Sequence, residues 1–266
     1  MQAGAREELP MPIAVERRGR IASITFNRPE TGNLMNATLF AALRDALREA
    51  AGDDAVRVVR LGSTGEAFTR GGDLHEFMHN PLKDGWERSA LYDCTLELAR
   101  FPKPIVAAVQ GPAIGGGSTL ILNCDIVVAS DRAGFVFPFS SLGLCPEIGS
   151  SYLLPLAVGE RRARDWMLTS RRISAEEARD AGLITELVPH EQLEARADAI
   201  AEQLAGYSGA AMSATKKLLQ EVHLAALEAA IQAELRALSV LMEGPAVKEA
   251  VGAFFDKRKP DFSTVA

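Results

Sequence analysis

Apolar and polar residues alternate along PIAVERRGRIASITFNRP, residues 12–29, on both sides of Arg18-Gly19-Arg20. Alternation puts successive side chains on opposite faces, so the pattern predicts a β-hairpin ending at Asn27-Arg28-Pro29. In TLFAALRDALREAA, residues 38–51, the apolar positions recur at helical spacing instead. AVRVVRLGS, PIVAAVQG and CDIVVAS are short β-branched runs bounded by Gly, Pro and Asp, which predicts strands. Strands and helices alternate to about residue 140. From Glu160 the pattern is almost wholly helical: ERRARDWMLTS, SAEEARDAG, then amphipathic runs over 190–207 and 212–242. Such striping belongs to helices that pack on this domain or on a neighbouring subunit. The expected division is a short disordered leader over 1–12, an α/β core over 13–195 and a C-terminal helical region over 196–266.

Composition narrows the function classes. With 266 residues, 47 % hydrophobic, the chain can bury a large core in one α/β domain with a helical appendage. Its net charge of −6, with both signs interleaved, offers no footprint for nucleic acid or an anionic membrane surface. Cys94, Cys124 and Cys145 are odd in number and scattered. They fit a reducing, cytoplasmic setting and neither a disulfide framework nor a paired-cysteine metal site. No apolar run reaches the roughly 18 residues of a membrane span, and MQAGAREELPMP lacks the apolar region of a secretory signal.

HEFMH, residues 75–79, formally matches the H-E-x-x-H zinc pattern. That chemistry needs a stable helix to bring both histidines onto one face, and a third ligand. Gly71-Gly72-Asp73 before it and Asn80-Pro81 after it leave under two turns, so the match reads as an exposed short helix. His190 and His223 have no nucleophile signature beside them, and a His-based triad is unsupported. AFTRGGDL, residues 67–74, and QGPAIGGGSTLILNCD, residues 110–125, are glycine-rich but contain neither phosphate-loop nor dinucleotide fingerprint. Gly115-Gly116-Gly117 opens an apolar helix after a strand, where unpaired N–H groups can hold an oxyanion. The same glycines also suit tight turns and close helix packing. From 133 to 159 the only formal charge is Glu147. If buried there it is desolvated and more basic; it also sits where Pro-Glu is favoured in a helix's first turn.

Taken together, AF-x-x-GGDL, GP-x-x-GGG-x-x-L-x-x-x-CD, RISAEEARDAGLITELVP and AFFDKRKPDF resemble, in order and spacing, the crotonase superfamily of acyl-CoA enzymes. The resemblance runs from Ile13 to Phe262. It implies repeated ββα units wound into a spiral, with a C-terminal helical region used for trimerisation and trimers that often pair into hexamers. It implies that the Gly72 and Gly116 N–H groups form the oxyanion hole for a thioester carbonyl. Thr69, Arg70 and Leu74 are expected along the bound coenzyme A, and Phe254 and Lys257 are expected to serve a neighbouring subunit's coenzyme A. No metal or redox cofactor is implied, since coenzyme A is part of the substrate.

Hydratases of this superfamily carry one Glu just after the GGG and a second further along, which together hold and activate water. Here those positions are Thr119 and Phe139. PFSSLGLCPEIGSSY resembles more closely the peroxisomal-type delta-3,delta-2-enoyl-CoA isomerases, in which the Glu matching Glu147 is the base. The expected activity is therefore transfer of a fatty acyl-CoA double bond from C3 to C2. Two rivals stand beside it. In the superfamily's aroyl-CoA dehalogenases an Asp near the Glu147 position attacks the ring, but no His falls between Pro81 and Asp125, where that subgroup places one. The other is a non-catalytic acyl-CoA-binding protein, which Glu147 turned to solvent would favour.

Overall fold

The computed structural model describes residues 11–79 and 82–265. Residues 1–10 of the expected leader lie outside the described residues, but the Pro12 carbonyl accepts a hydrogen bond from the Asn27 N–H at 2.9 Å, so Pro12 is already tied into the fold. The hairpin forms as β1 (Ile13–Arg18) and β2 (Ile21–Phe26), antiparallel with Ile13 opposite Phe26. Asn36 caps α1 (Ala37–Gly52) by accepting from the Leu39 N–H, and Leu39, Leu43 and Leu47 form its buried face. β3 (Val58–Ser63) leads to the single turn α2 (Leu74–Phe77), α3 (Ala90–Arg100) and β4 (Ile105–Val109). Then come β5 (Pro112–Ile114), α4 (Gly116–Leu120), β6 (Ile126–Ser130), β7 (Gly134–Val136) and α5 (Ser150–Val158). α6 (Glu160–Thr169), β8 (Ile173–Ser174), α7 (Ala175–Ala181) and β9 (Glu186–Val188) follow. Three helices close the chain: α8 (Leu193–Ala205), α9 (Gly209–Leu241) and α10 (Pro245–Phe255).

The strands build two sheets. The larger runs β1-β2-β3-β4-β6-β9, parallel after the opening hairpin, and the smaller runs β5-β7-β8. Each turn of chain lays one strand in the large sheet and the next in the small one: β4 then β5, β6 then β7. Isolated parallel bridges, Thr69 with Ala113 and Met35 with Gly72, carry the small-sheet layer back through the earlier turns. This is a spiral of ββα units, in which the end of each small-sheet segment comes beside its predecessor. That stacking brings Met35, Gly72 and the Gly115–Gly116 turn together from distant parts of the sequence.

β4 is buried at every position because the large sheet is covered on both faces. One face meets the main core, including Phe26, Phe68 and Phe101; the other packs Val58, Val106 and Val128 against Leu193, Ala197 and Ala201 of α8. α8 thus begins before the division at 195/196 read from the sequence, and its apolar side lies on the core sheet. α9 is anchored by Lys216, whose buried ammonium donates to Asp125 at 2.7 Å and to the Lys103 carbonyl at 2.9 Å. It then crosses α3 and α5. α10 turns back, and at its C-terminal end Lys257 takes a left-handed conformation while the Arg258 N–H reaches the Ala253 carbonyl. Among the described residues no helix is long and apolar enough to cross a membrane.

Candidate active site

A cavity of about 540 Å³ opens between the Gly72 segment, the start of α4, the loop ahead of α5 and the ends of α9 and α10. Gly72, Gly116 and Glu147 all line it. The bridge to Met35 uses the Gly71 carbonyl, which accepts from Met35 at 2.8 Å, and the Asp73 N–H, which donates to the Met35 carbonyl at 2.9 Å. Gly72 lies between them with its N–H left over. Gly116 is the first residue of α4, where an N–H has no intrahelical partner. Both glycines thus line one cavity from separate turns of the spiral. The glycines open a helix as expected, but α4 spans only Gly116–Leu120 before a 3-10 turn, and β5 intervenes between it and β4.

Gly116 has no room for a side chain. A methyl there would stand 2.9 Å from Met35 Sδ and 3.2 Å from Glu147 Oε1. Those distances also locate Glu147: its carboxylate is beside Gly116, not turned to solvent. The flanking Phe139, Leu142 and Leu144 make that wall of the cavity apolar. The carboxylate touches the cavity but is otherwise packed in protein, and burial first, then the charge of Glu234, pushes its pKa up to about 7. The first-turn reading of Glu147 is not met either. α5 begins at Ser150, and Ile148 and Gly149 between them are both left-handed, with φ of +59° and +75°. Glu147 stands outside the helix on a turn of its own.

The other expected site residues separate. Arg70 and Leu74 line the cavity, Arg70 exposed at its mouth. Thr69 does not: it is fully buried, donating to the Asn33 carbonyl at 2.7 Å and accepting from the Gly71 N–H at 3.0 Å, with its methyl packed where a Gly117 side chain would go. Its side chain supports the Gly71–Gly72 turn. Phe254, expected to serve a neighbour, lines the cavity of its own chain here together with Phe255. Lys257 is exposed beyond the cavity lining, in the helix-ending turn. Thr119 is fully buried and donates to the Gly116 carbonyl at 3.2 Å, whereas Phe139 presents its ring to the cavity.

In HEFMH, α2 is one turn long, the His75 ring lies 4.6 Å from that of Phe255, and His79 Nδ1 meets the His75 carbonyl. The Asn80-Pro81 stop lies outside the described residues. Two carboxylates escaped the sequence reading. Glu76 lines the cavity and accepts from the Ala37 N–H at 3.1 Å, capping α1, while burial raises its pKa. Glu234, on α9, is buried and accepts from the N–H groups of Gly149 and Ser151, both at 2.7 Å. The only sequence signal for Glu234 was its place on the apolar side of an amphipathic helix.

The model of the enoyl-CoA hydratase/isomerase family matches residues 16–264. A protein named as a probable enoyl-CoA hydratase from Mycobacterium tuberculosis is 40 % identical over 98 % of this chain and 95 % of its own length. A 4-chlorobenzoyl coenzyme A dehalogenase from an Arthrobacter species is 33 % identical over 92 % of this chain and 91 % of its own. The crystal structure of an enoyl-CoA hydratase/isomerase from Pseudoalteromonas atlantica superposes with a TM-score of 0.89 at 39 % identity, covering 94 % of this chain and 99 % of that one. With the spiral of ββα units in place, the chain belongs to the enoyl-CoA hydratase/isomerase family, the crotonase superfamily of acyl-CoA enzymes.

Proposed function

We propose that the protein shifts the double bond of a 3-enoyl-CoA to C2, with Glu147 as the single proton shuttle. The observation that carries this reading is one carboxylate, of pKa raised to about 7, beside Gly116 in an otherwise apolar wall. The thioester oxygen would sit against the Gly72 and Gly116 N–H groups, which stabilise the enolate as Glu147 removes a proton from C2. Delocalisation carries the charge to C4, where the same carboxyl returns the proton. Arg70 and Leu74 flank the mouth and suit the coenzyme, and no metal or redox group is needed in this scheme.

The base must be ionised to act. Its protonated form dominates below a pKa of about 7, so kcat/KM for 3-hexenoyl-CoA is expected to rise with pH through neutrality and level off above it. A rate already flat from pH 5 upward would mean that an ordinary carboxylate, or none, is the base. A dehalogenase reading draws support from the Arthrobacter relative, with Glu147 as nucleophile on an aromatic ring. The lack of a His between Pro81 and Asp125 weighs against it. A binding-only role is disfavoured by a carboxylate aimed at the oxyanion donors.

We further propose a homotrimer or hexamer working in the cytoplasm. Leu218, Leu219 and Val222 of α9 are 68–78 % exposed in one chain, an apolar stripe that a second subunit would cover. Sedimentation is expected to give at least a trimer at micromolar concentration, and a monomer would count against shared subunit contacts.

A further inference from the structure

We infer that Glu234 is a positioning residue for Glu147: from α9 it clamps the strained turn that aims the carboxylate into the cavity and places a second negative charge behind it. The inference rests on the isomerase reading for its kinetic arm only.

The turn is unusual. Ile148 is β-branched, buried and left-handed, a conformation such residues avoid and one that persists only where surrounding contacts impose it. Three contacts do so. The Asn123 side-chain amide donates to the Ile148 carbonyl at 3.2 Å, and the two Glu234 oxygens accept from Gly149 and Ser151 at 2.7 Å each. α9 also presses on the turn directly, since a methyl at Gly149 would lie 2.5 Å from Leu227 Cδ1. Without Glu234 two N–H groups at the start of α5 would be left unpaired in packed protein, and the turn could relax toward ordinary φ. Glu147, the residue before Ile148, would swing with it.

The charges around Glu147 define the electrostatic half of the argument. Behind it is Glu234; on its own loop is the Cys145 thiol, which burial pushes up to about 11 and so leaves neutral. Across the cavity stand Arg70, Asp73, His75 and Glu76. Burial raises the Glu234 pKa as well, but the Ser151 and Gly149 donors draw it back toward the anion. Negative charge on Glu234 in turn opposes ionisation of Glu147.

The test uses Glu234→Gln and Glu234→Asp in the full-length protein. The Gln variant keeps size and one acceptor but loses the charge, so the acid limb of kcat/KM should move to lower pH. The Asp variant keeps the charge but is a methylene short of both N–H groups. It should leave the limb in place while kcat falls by about ten- to a hundredfold, with KM nearly unchanged. Carbon-13 NMR of labelled glutamate carboxyls, with Glu147→Gln for assignment, reads the same titration without turnover. If the wild type does not isomerise any 3-enoyl-CoA, the isomerase reading fails and the Glu147 resonance alone decides the electrostatic role. If Glu234→Gln does not fold, the Asp variant carries the positioning arm. Lower thermal midpoints with an unmoved Glu147 titration and an unchanged rate per folded molecule would overturn the proposal, leaving Glu234 as a helix cap.

Discussion

Glu147→Gln is expected to slow isomerisation of 3-hexenoyl-CoA by about 10²–10⁴-fold, the usual contribution of a general base, and to raise the thermal midpoint at pH 8. The two effects have one cause. Gln keeps the size of Glu and removes both its basicity and the cost of holding its charge in the cavity wall. The folded-state pKa of about 7 lies above the ordinary 4.5, so the folded protein binds this proton more tightly than the unfolded chain. Stability from this group is therefore highest at low pH and falls as pH rises from about 4.5 to about 7. Above that window the ionised carboxylate costs at most about 3 kcal/mol, and less in practice because solvent reaching the cavity screens it. The Gln variant escapes that cost. A Glu serving only a helix start predicts the reverse: a loss of roughly 0.3–1 kcal/mol of charge–dipole stabilisation and an unchanged rate. Glu147→Asp separates reach from basicity, since its carboxylate is retained but withdrawn from Gly116. Coenzyme A binding should survive in all three proteins.

Hydration of crotonyl-CoA is the second large effect. It is expected to run about 10²–10⁴-fold slower than isomerisation of 3-hexenoyl-CoA, since the carboxylates that would activate water are missing. Thr119 cannot substitute: its hydroxyl is fully buried and donates to the Gly116 carbonyl. Phe139 goes further, because an aromatic ring lines the cavity at the position of the second hydratase carboxylate. Glu147 remains, and in the proposed mechanism it moves a proton on the substrate instead of activating water. Loss of the conjugated enoyl absorbance follows the reaction, and turnover equal to the isomerase rate would show that another group activates water.

The opening hairpin, α1, β3, β4 and β6 were legible because each carries a clean period or a β-branched run between breakers. β5, β7 and β8 were not: two or three residues are too few to show a period, and they exist only because the spiral stacks them. α3 carries a weaker pattern, since its polar exposed face and the irregular chain ahead of it mask the buried Cys94, Leu98 and Ala99. At the site, Glu147 was legible as an isolated charge in an apolar stretch, and Gly72 and Gly116 as glycines beside structural breaks. Thr69 entered through the resemblance alone, which implied a place along coenzyme A; what the fold adds is that its side chain is buried and holds Asn33 and Gly71. Glu234 lies far from Glu147 along the chain and carries no motif; only the folded path of α9 brings it to the turn. Left-handed Ile148 could not be read at all, because no sequence rule selects a β-branched residue there.

The most direct test follows the wild-type enzyme on 3-hexenoyl-CoA in deuterium oxide by proton NMR, with Glu147→Gln in parallel. The account predicts 2-hexenoyl-CoA from the wild type, with the proton taken from C2 reappearing at C4 as protium or exchanged deuterium, and a near absence of both product and C2 exchange in the variant. No product from 3-enoyl-CoA of any chain length, or equal conversion by Glu147→Gln, would contradict it.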